Sequence, residues 1–198
     1  MNSERQRVNE YPLPEPAPRQ PIHTRKIQCN GFRRDDGLYD IEGVLVDTKS
    51  IDFHNMDRGR VKPGEPIHEM WIRLTVDIDM NVVDVEARSV WGPYNICGDI
   101  TPNFKRLKGL AIKQGWTQKT RQLLGGIQGC THLVELLGPV ATTAFQTIHA
   151  DRVERDKREG ATEKPALIGS CHAYAPDSVV VLHRHPEHYT GSKKQTGQ

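Results

Sequence analysis

The sequence predicts an α+β fold, an antiparallel sheet packed by C-terminal helices, and three observations predict it. Alternation of apolar and polar residues dominates the stretch from residue 26 to residue 91. Apolar residues at helical spacing dominate the stretch from 117 to 148. Between them Gly92-Pro-Tyr-Asn-Ile-Cys-Gly-Asp99 breaks the strand pattern. A run of strands followed by a run of helices segregates the two layers, as α+β domains do.

Residues 1–24 form the first segment, with five prolines among the first 22 residues. This composition predicts an extended arm of polyproline II character, able to lie on the domain or on a partner subunit and so to support a homo-oligomer. A strand follows over Lys26–Arg33, then the turn Arg34-Asp-Asp-Gly37 and a second strand over Gly37–Asp47. In that strand Leu38, Asp40, Glu42, Val44 and Val46 share one parity, while Tyr39, Ile41, Leu45 and Asp47 share the other. The alternation is imperfect, which predicts partial cover on both faces. Residues 50–65 are polar and read as a loop. Pro66–Asp77 and Val82–Trp91 alternate cleanly and give the strongest hairpin signal in the chain.

The helical half begins with a short amphipathic piece over Phe104–Ile112. Thr117 is placed to cap a helix that runs through Leu124 and ends at Gly125-Gly126. Cys130 or Thr131 opens the longest helix, with Leu133, Leu136, Leu137, Val140, Ala144, Phe145 and Ile148 on one face. Pro139 inside it predicts a kink or a split. The charged run from Asp151 to Lys164 reads as a solvated helix end plus linker, and Leu167–Tyr174 and Val179–His183 as strand-like pieces. The expected organisation is one domain over 25–189 and a disordered tail over 190–198.

Lys and Arg total 27 against 25 Asp and Glu, for a net charge of +2. No basic stripe stands out, so a nucleic-acid partner is not expected. No stretch approaches the ~20 apolar residues of a membrane span. The N-terminus has charge but no apolar core of a secretory signal, which predicts a cytoplasmic protein. In that compartment Cys29, Cys97, Cys130 and Cys171 are expected as free or metal-bound thiols.

Four groups of residues can carry chemistry. Gly129-Cys130-Thr131-His132 places a thiol and an imidazole at a helix start, where unpaired N–H groups stabilise a thiolate. Such a pair can share a metal or act as nucleophile and base. Cys97 lies on irregular backbone beside Gly98, which suits a ligand loop. His68 and Glu69 stand at the start of a strand, pointing to opposite faces. Cys171-His172 repeats the Cys/His pairing beside Tyr174. Trp71, Trp91, Tyr94 and Tyr174 can wall a pocket for an aromatic or planar substrate. Each group also has a plain structural counterpart: packed thiols, solvated imidazoles and core aromatics. CxxC pairs, HExxH, P-loop, dinucleotide and GxSxG patterns are all missing, so no nucleotide cofactor is expected.

Four motifs carry a family resemblance. The run Asp36–Lys49, the run Pro63-Gly-Glu-Pro-Ile-His-Glu-Met-Trp71, the run Gly129-Cys-Thr-His-Leu-Val-Glu-Leu-Leu-Gly-Pro139 and the run Ala144-Phe-Gln-Thr147 resemble the bacterial family catalogued as domain of unknown function 2889. The match takes in roughly Arg25 to Tyr189. The order of hairpin, Cys-bearing break, short helix and Cys at the start of a long helix is also similar to the NifU and IscU iron–sulfur scaffolds. That likeness implies a NifU/IscU-like core with extra N-terminal strands. It places Glu69 at the family's acidic position, Cys97 at its second cysteine and Cys130 at its last, with Gly129 where the family has a histidine and His132 after the cysteine. The family's first cysteine is absent. Two sulfurs with a His and a carboxylate suit a mononuclear Zn²⁺ or Fe²⁺.

Together these residues predict a small-molecule enzyme of the lyase or hydratase type at a Cys/His site. Glu69, Cys130, His132 and His172 are its candidate catalytic groups, and His68, Cys97, Cys130 and His132 its candidate metal ligands. A metal or sulfur carrier, and a structural or interaction domain, are the alternatives.

Overall fold

The structure is a computed structural model, and it describes residues 13–160, 165 and 167–192. The antiparallel sheet is built as the alternation requires, in the order β1 (His23–Arg33), β2 (Tyr39–Lys49), β5 (Pro66–Val76), β6 (Val82–Trp91). A separate two-stranded hairpin, β3 (Phe53–Asn55) with β4 (Gly59–Val61), occupies part of the stretch expected as loop. Strands of three residues are too short to show a period, which is why the alternation does not reveal them. Two 3-10 turns, over Asn95–Gly98 and Thr101–Leu107, lead to α1 (Trp116–Leu124) and the long α2 (Thr131–Arg158).

One face of the sheet carries the core. Tyr39, Ile41, Leu45 and Asp47 of β2 are buried, as are Met70, Ile72, Leu74 and Val76 of β5. These residues share a parity on each strand, and α2 covers them with Leu133, Leu136, Leu137, Val140, Ala144 and Ile148. Gly43 marks the closest approach of the layers, since a Cβ there would stand 2.6 Å from Val140 Cγ2. At Gly31 of β1 a Cβ would overlap the Thr147 side chain. The two glycines let the helix axis come down onto the sheet.

Several local expectations change. Helix α2 runs through Pro139 as one element. Proline removes one hydrogen bond, but the buried face on both sides of it outweighs that loss. Gly138 helps, because the clash that proline imposes on its predecessor involves a Cβ that glycine lacks. Helix α1 starts at Trp116 with Gly115, left-handed at φ 86°, in the capping position, so Thr117 is not the cap. The Trp116 indole N–H instead donates to the Leu137 carbonyl at 3.0 Å and ties α1 to α2.

The chain divides after Arg152 into two compact units, where one domain over 25–189 was expected. The second unit holds the last turn and a half of α2, a 3-10 turn over His172–Tyr174 and α3 (Val179–Arg184). The strand-like reading of Leu167–Tyr174 and Val179–His183 is corrected to these helical turns. Ser178 accepts a hydrogen bond from the Val181 N–H at 3.2 Å, and this cap overrides the β preference of three valines in a row. The arm is exposed where it is described, from Leu13 to Ile22, and Ser50 hydrogen bonds to its Pro21 and Ile22 carbonyls. Residues 1–12 of the arm and 193–198 of the tail lie outside the described residues. Among the described residues no helix is long and apolar enough to cross a membrane.

Candidate functional site

The buried parity of β2 ends on a carboxylate. Asp47 follows Tyr39, Ile41, Gly43 and Leu45 onto the core face, and its side chain is 1% exposed. An ionised carboxylate in such a place must be paired. Register supplies the partners, because Asp47 stands opposite Arg25 of β1 and His68 of β5. The Arg25 guanidinium forks onto it, Nε to Oδ1 and Nη2 to Oδ2, both at 2.8 Å. His68 Nδ1 lies 3.0 Å from Oδ2 and His23 Nε2 lies 3.2 Å from Oδ1. From above, the first turn of α2 lowers His132, whose Nε2 is 3.6 Å from Oδ2. Arg25 also donates through Nη1 to Glu135, one turn further along α2.

The two imidazoles stack, with ring centroids 3.7 Å apart and planes at 29°. A carboxylate only accepts, so the imidazole nitrogen bonded to it carries the proton. His68 therefore turns Nδ1–H to Asp47 and keeps a lone pair on Nε2. His132 Nε2, at 3.6 Å, faces Asp47 as a charge contact beyond hydrogen-bond length, and its Nδ1 lies 3.9 Å from Cys130 Sγ. Cys130 accepts the Val134 N–H on its carbonyl and so occupies the residue before α2.

The electrostatics follow from burial and crowding. Burial pushes the Asp47 carboxyl up, but hydrogen bonding and charge from Arg25, with His68, outweigh it and bring it to about 2. Burial pushes His68 below its ordinary value, the neighbouring His132 pushes the same way, and Asp47 opposes both. His132 is likewise lowered by burial and then by the Arg25 charge, against Asp47 and Glu135. The cluster thus sets a carboxylate and a guanidinium beside His68 and His132, both held below their ordinary value, with His23 at its edge.

The structure brings together some of the sequence candidates and separates others. His68 and His132 meet, with Cys130 beside the second. Glu69, expected as an acid–base partner, points to the opposite face of the sheet and accepts the Trp71 indole N–H at 2.9 Å. Trp71 is 41% exposed on that face, and Trp91, paired across from Glu69, lies 4.7 Å under the Arg58 guanidinium. These tryptophans, expected as pocket walls, are on the wrong side for the histidines, because successive strand residues alternate faces. Tyr94 is exposed before the 3-10 turn that carries Cys97. Cys97 packs under Gly92, where an added Cβ would come 2.7 Å from its own Cβ, and it is outside the cluster. Its expected role as a ligand beside Cys130 does not match this placement. His172 and Tyr174 belong to the second unit. All four cysteines are free thiols.

Asp47, Arg25 and Glu135 were missed. Asp47 had a visible signal, a lone acid on the apolar parity of its strand. Arg25 and Glu135 had none, since only strand register and the seating of α2 bring them in. Among the described residues, Asp47, His68 and His132 form the group able to offer three ligand atoms within 4.8 Å of one another.

A family model described as Protein of unknown function (DUF2889) matches residues 23–146. The matched span begins at His23 and holds every residue of the cluster. No curated protein and no solved structure matches. The likeness to iron–sulfur scaffold proteins is therefore not shown.

Proposed function

We propose that this chain, which belongs to the DUF2889 family, is a small-molecule enzyme of the lyase or hydratase type that moves a proton at the Asp47–His68–His132 cluster. One observation carries the reading. A buried carboxylate bonds His68 Nδ1 and faces His132 Nε2, which leaves the other nitrogen of each ring directed away from it. Burying this much charge and polarity costs stability that an apolar patch of the same size would not. The arrangement has the parts of a general base: a lone pair, a lowered imidazole pKa, and a carboxylate ready to stabilise the imidazolium.

In the proposed step His132 Nδ1 takes a proton from a carbon next to a carbonyl. The C–H electrons form a C=C bond as the C–O bond to a β-hydroxyl breaks. The imidazolium, held by Asp47, returns the proton to the departing oxygen, and water leaves. Cys130, 3.9 Å from the same nitrogen, borders the reacting position. Planar α,β-unsaturated acids and their β-hydroxy counterparts are the substrate class.

The test is a panel of such pairs, followed by the absorbance of the conjugated product. The wild type is expected to turn over at least one pair, and His132→Gln and Asp47→Asn to lose about 100-fold or more. Turnover that survives both substitutions, or none with any pair, rejects the reading.

The convergence of three ligand-type atoms favours a second reading, in which Asp47, His68 and His132 hold Zn²⁺ or Fe²⁺. The Arg25 fork on Asp47 and the 3.7 Å ring stack favour the first. Both would have to open before a cation could be shared. Equilibrium dialysis followed by elemental analysis separates them, with close to one equivalent of metal favouring the second.

A further inference from the structure

A cleft of about 380 Å³ opens between α1 and the start of α2, lined from α2 by Thr131, Val134, Glu135, Leu137 and Gly138. Its size falls in the ordinary range for small-ligand sites, about 300–1,000 Å³. Three features define what it takes. Leu124, Val134 and Leu137 give it an apolar floor. Arg121 stands on its α1 wall, and among the described residues no carboxylate pairs with that guanidinium. Glu135 stands on its α2 wall, already engaged by Arg25.

We infer that this cleft binds a small monocarboxylate with an apolar body, its carboxylate on Arg121 and its body over Leu124, Val134 and Leu137. A single guanidinium matches one carboxylate through two parallel N–H donors. The negative charge of Glu135 on the facing wall works against dianions such as phosphate esters, which usually need several cations. The apolar floor rewards a hydrocarbon or aromatic body and gives nothing to a sugar.

The cleft also joins the cluster through covalent and hydrogen-bonded neighbours. Thr131 lines it and lies between Cys130 and His132 in the chain. Glu135 lines it and holds the same Arg25 that forks onto Asp47. As a substrate site the cleft rests on the enzyme reading above; as a binding site it stands by itself.

The experiment is calorimetric titration of the purified chain with trans-cinnamate and, separately, with the neutral cinnamamide. Cinnamate is expected to bind at least about 10-fold more tightly than the amide, as a charge-assisted pair adds of order one decade. Arg121→Gln is expected to erase that preference, and Arg121→Lys to keep part of it. Arg121 is exposed, so both variants should fold, which a thermal melt checks. Equal binding of acid and amide, no binding of either, or an unchanged preference in Arg121→Gln overturns the inference. Because binding is read without turnover, an intact cleft beside an inactive cluster rejects the enzyme reading alone. Turnover without Arg121-dependent binding rejects the cleft alone.

Discussion

The sheet face under α2 has an arginine–aspartate contact at each end, and the two ends are built for different work. At one end Arg33 of β1 and the Tyr39 hydroxyl of β2 both bond to Asp151 of α2, the tyrosine at 2.6 Å. At the other, Arg25 of β1 forks onto Asp47 of β2 beneath His68 and His132. In each case β1 supplies a cation and the far partner is an acid. At the Asp151 end every group keeps one charge state across the neutral range. Burial, and then Asp151, push the Tyr39 hydroxyl further up, and Tyr39 and Arg33 hold Asp151 down. At the Asp47 end the acid is inside the sheet and the groups around it are imidazoles, which change charge near neutrality. The first end clasps helix to sheet. The second surrounds a buried acid with imidazoles, whose ordinary pKa lies near neutrality.

This contrast can be broken by mutation. The largest effect on stability is expected from Asp47→Ala, about 3 kcal/mol in denaturant unfolding, because Arg25, His68 and His132 lose a shared buried partner. A loss below that of Tyr39→Phe would show that the Asp47 end is no more demanding than the clasp. Tyr39→Phe is the smaller change, about 1 kcal/mol, since it removes one hydrogen bond and leaves the ring packed. It should leave any turnover unchanged, and a parallel loss of turnover would join the two ends that the comparison separates.

The sheet was easier to foresee from the sequence than the cluster. Alternation in Pro66–Val76 and Val82–Trp91 is a local property, and it fixed strands, faces and hairpin. The same parity put Asp47 with Tyr39, Ile41 and Leu45, so its burial was in principle legible. What a linear reading could not supply is register. Arg25 reaches Asp47 across 22 residues and His68 reaches it across 21, and strand pairing alone brings both opposite it. Cys97 lies in a turn beyond the sheet, outside the cluster. Glu69 lies on the strand's other face from His68, as the alternation of the strand already implied. The strand-like reading of Val179–His183 was overturned by a local conflict, where one serine cap turned a β-prone run into a helix.

The central claim is that Asp47 holds two imidazoles that stay neutral, and the pH titration of the His68 and His132 ring signals by NMR tests it most directly. Folded-state values below the ordinary 6.5 mean that, as pH falls past 6.5, the unfolded chain takes protons the folded one refuses. Stability from this source is complete above pH 6.5 and declines below it toward the folded values. Both rings are expected to titrate below 6.5, with Asp47 still ionised throughout. Either ring titrating above 6.5 would contradict the account.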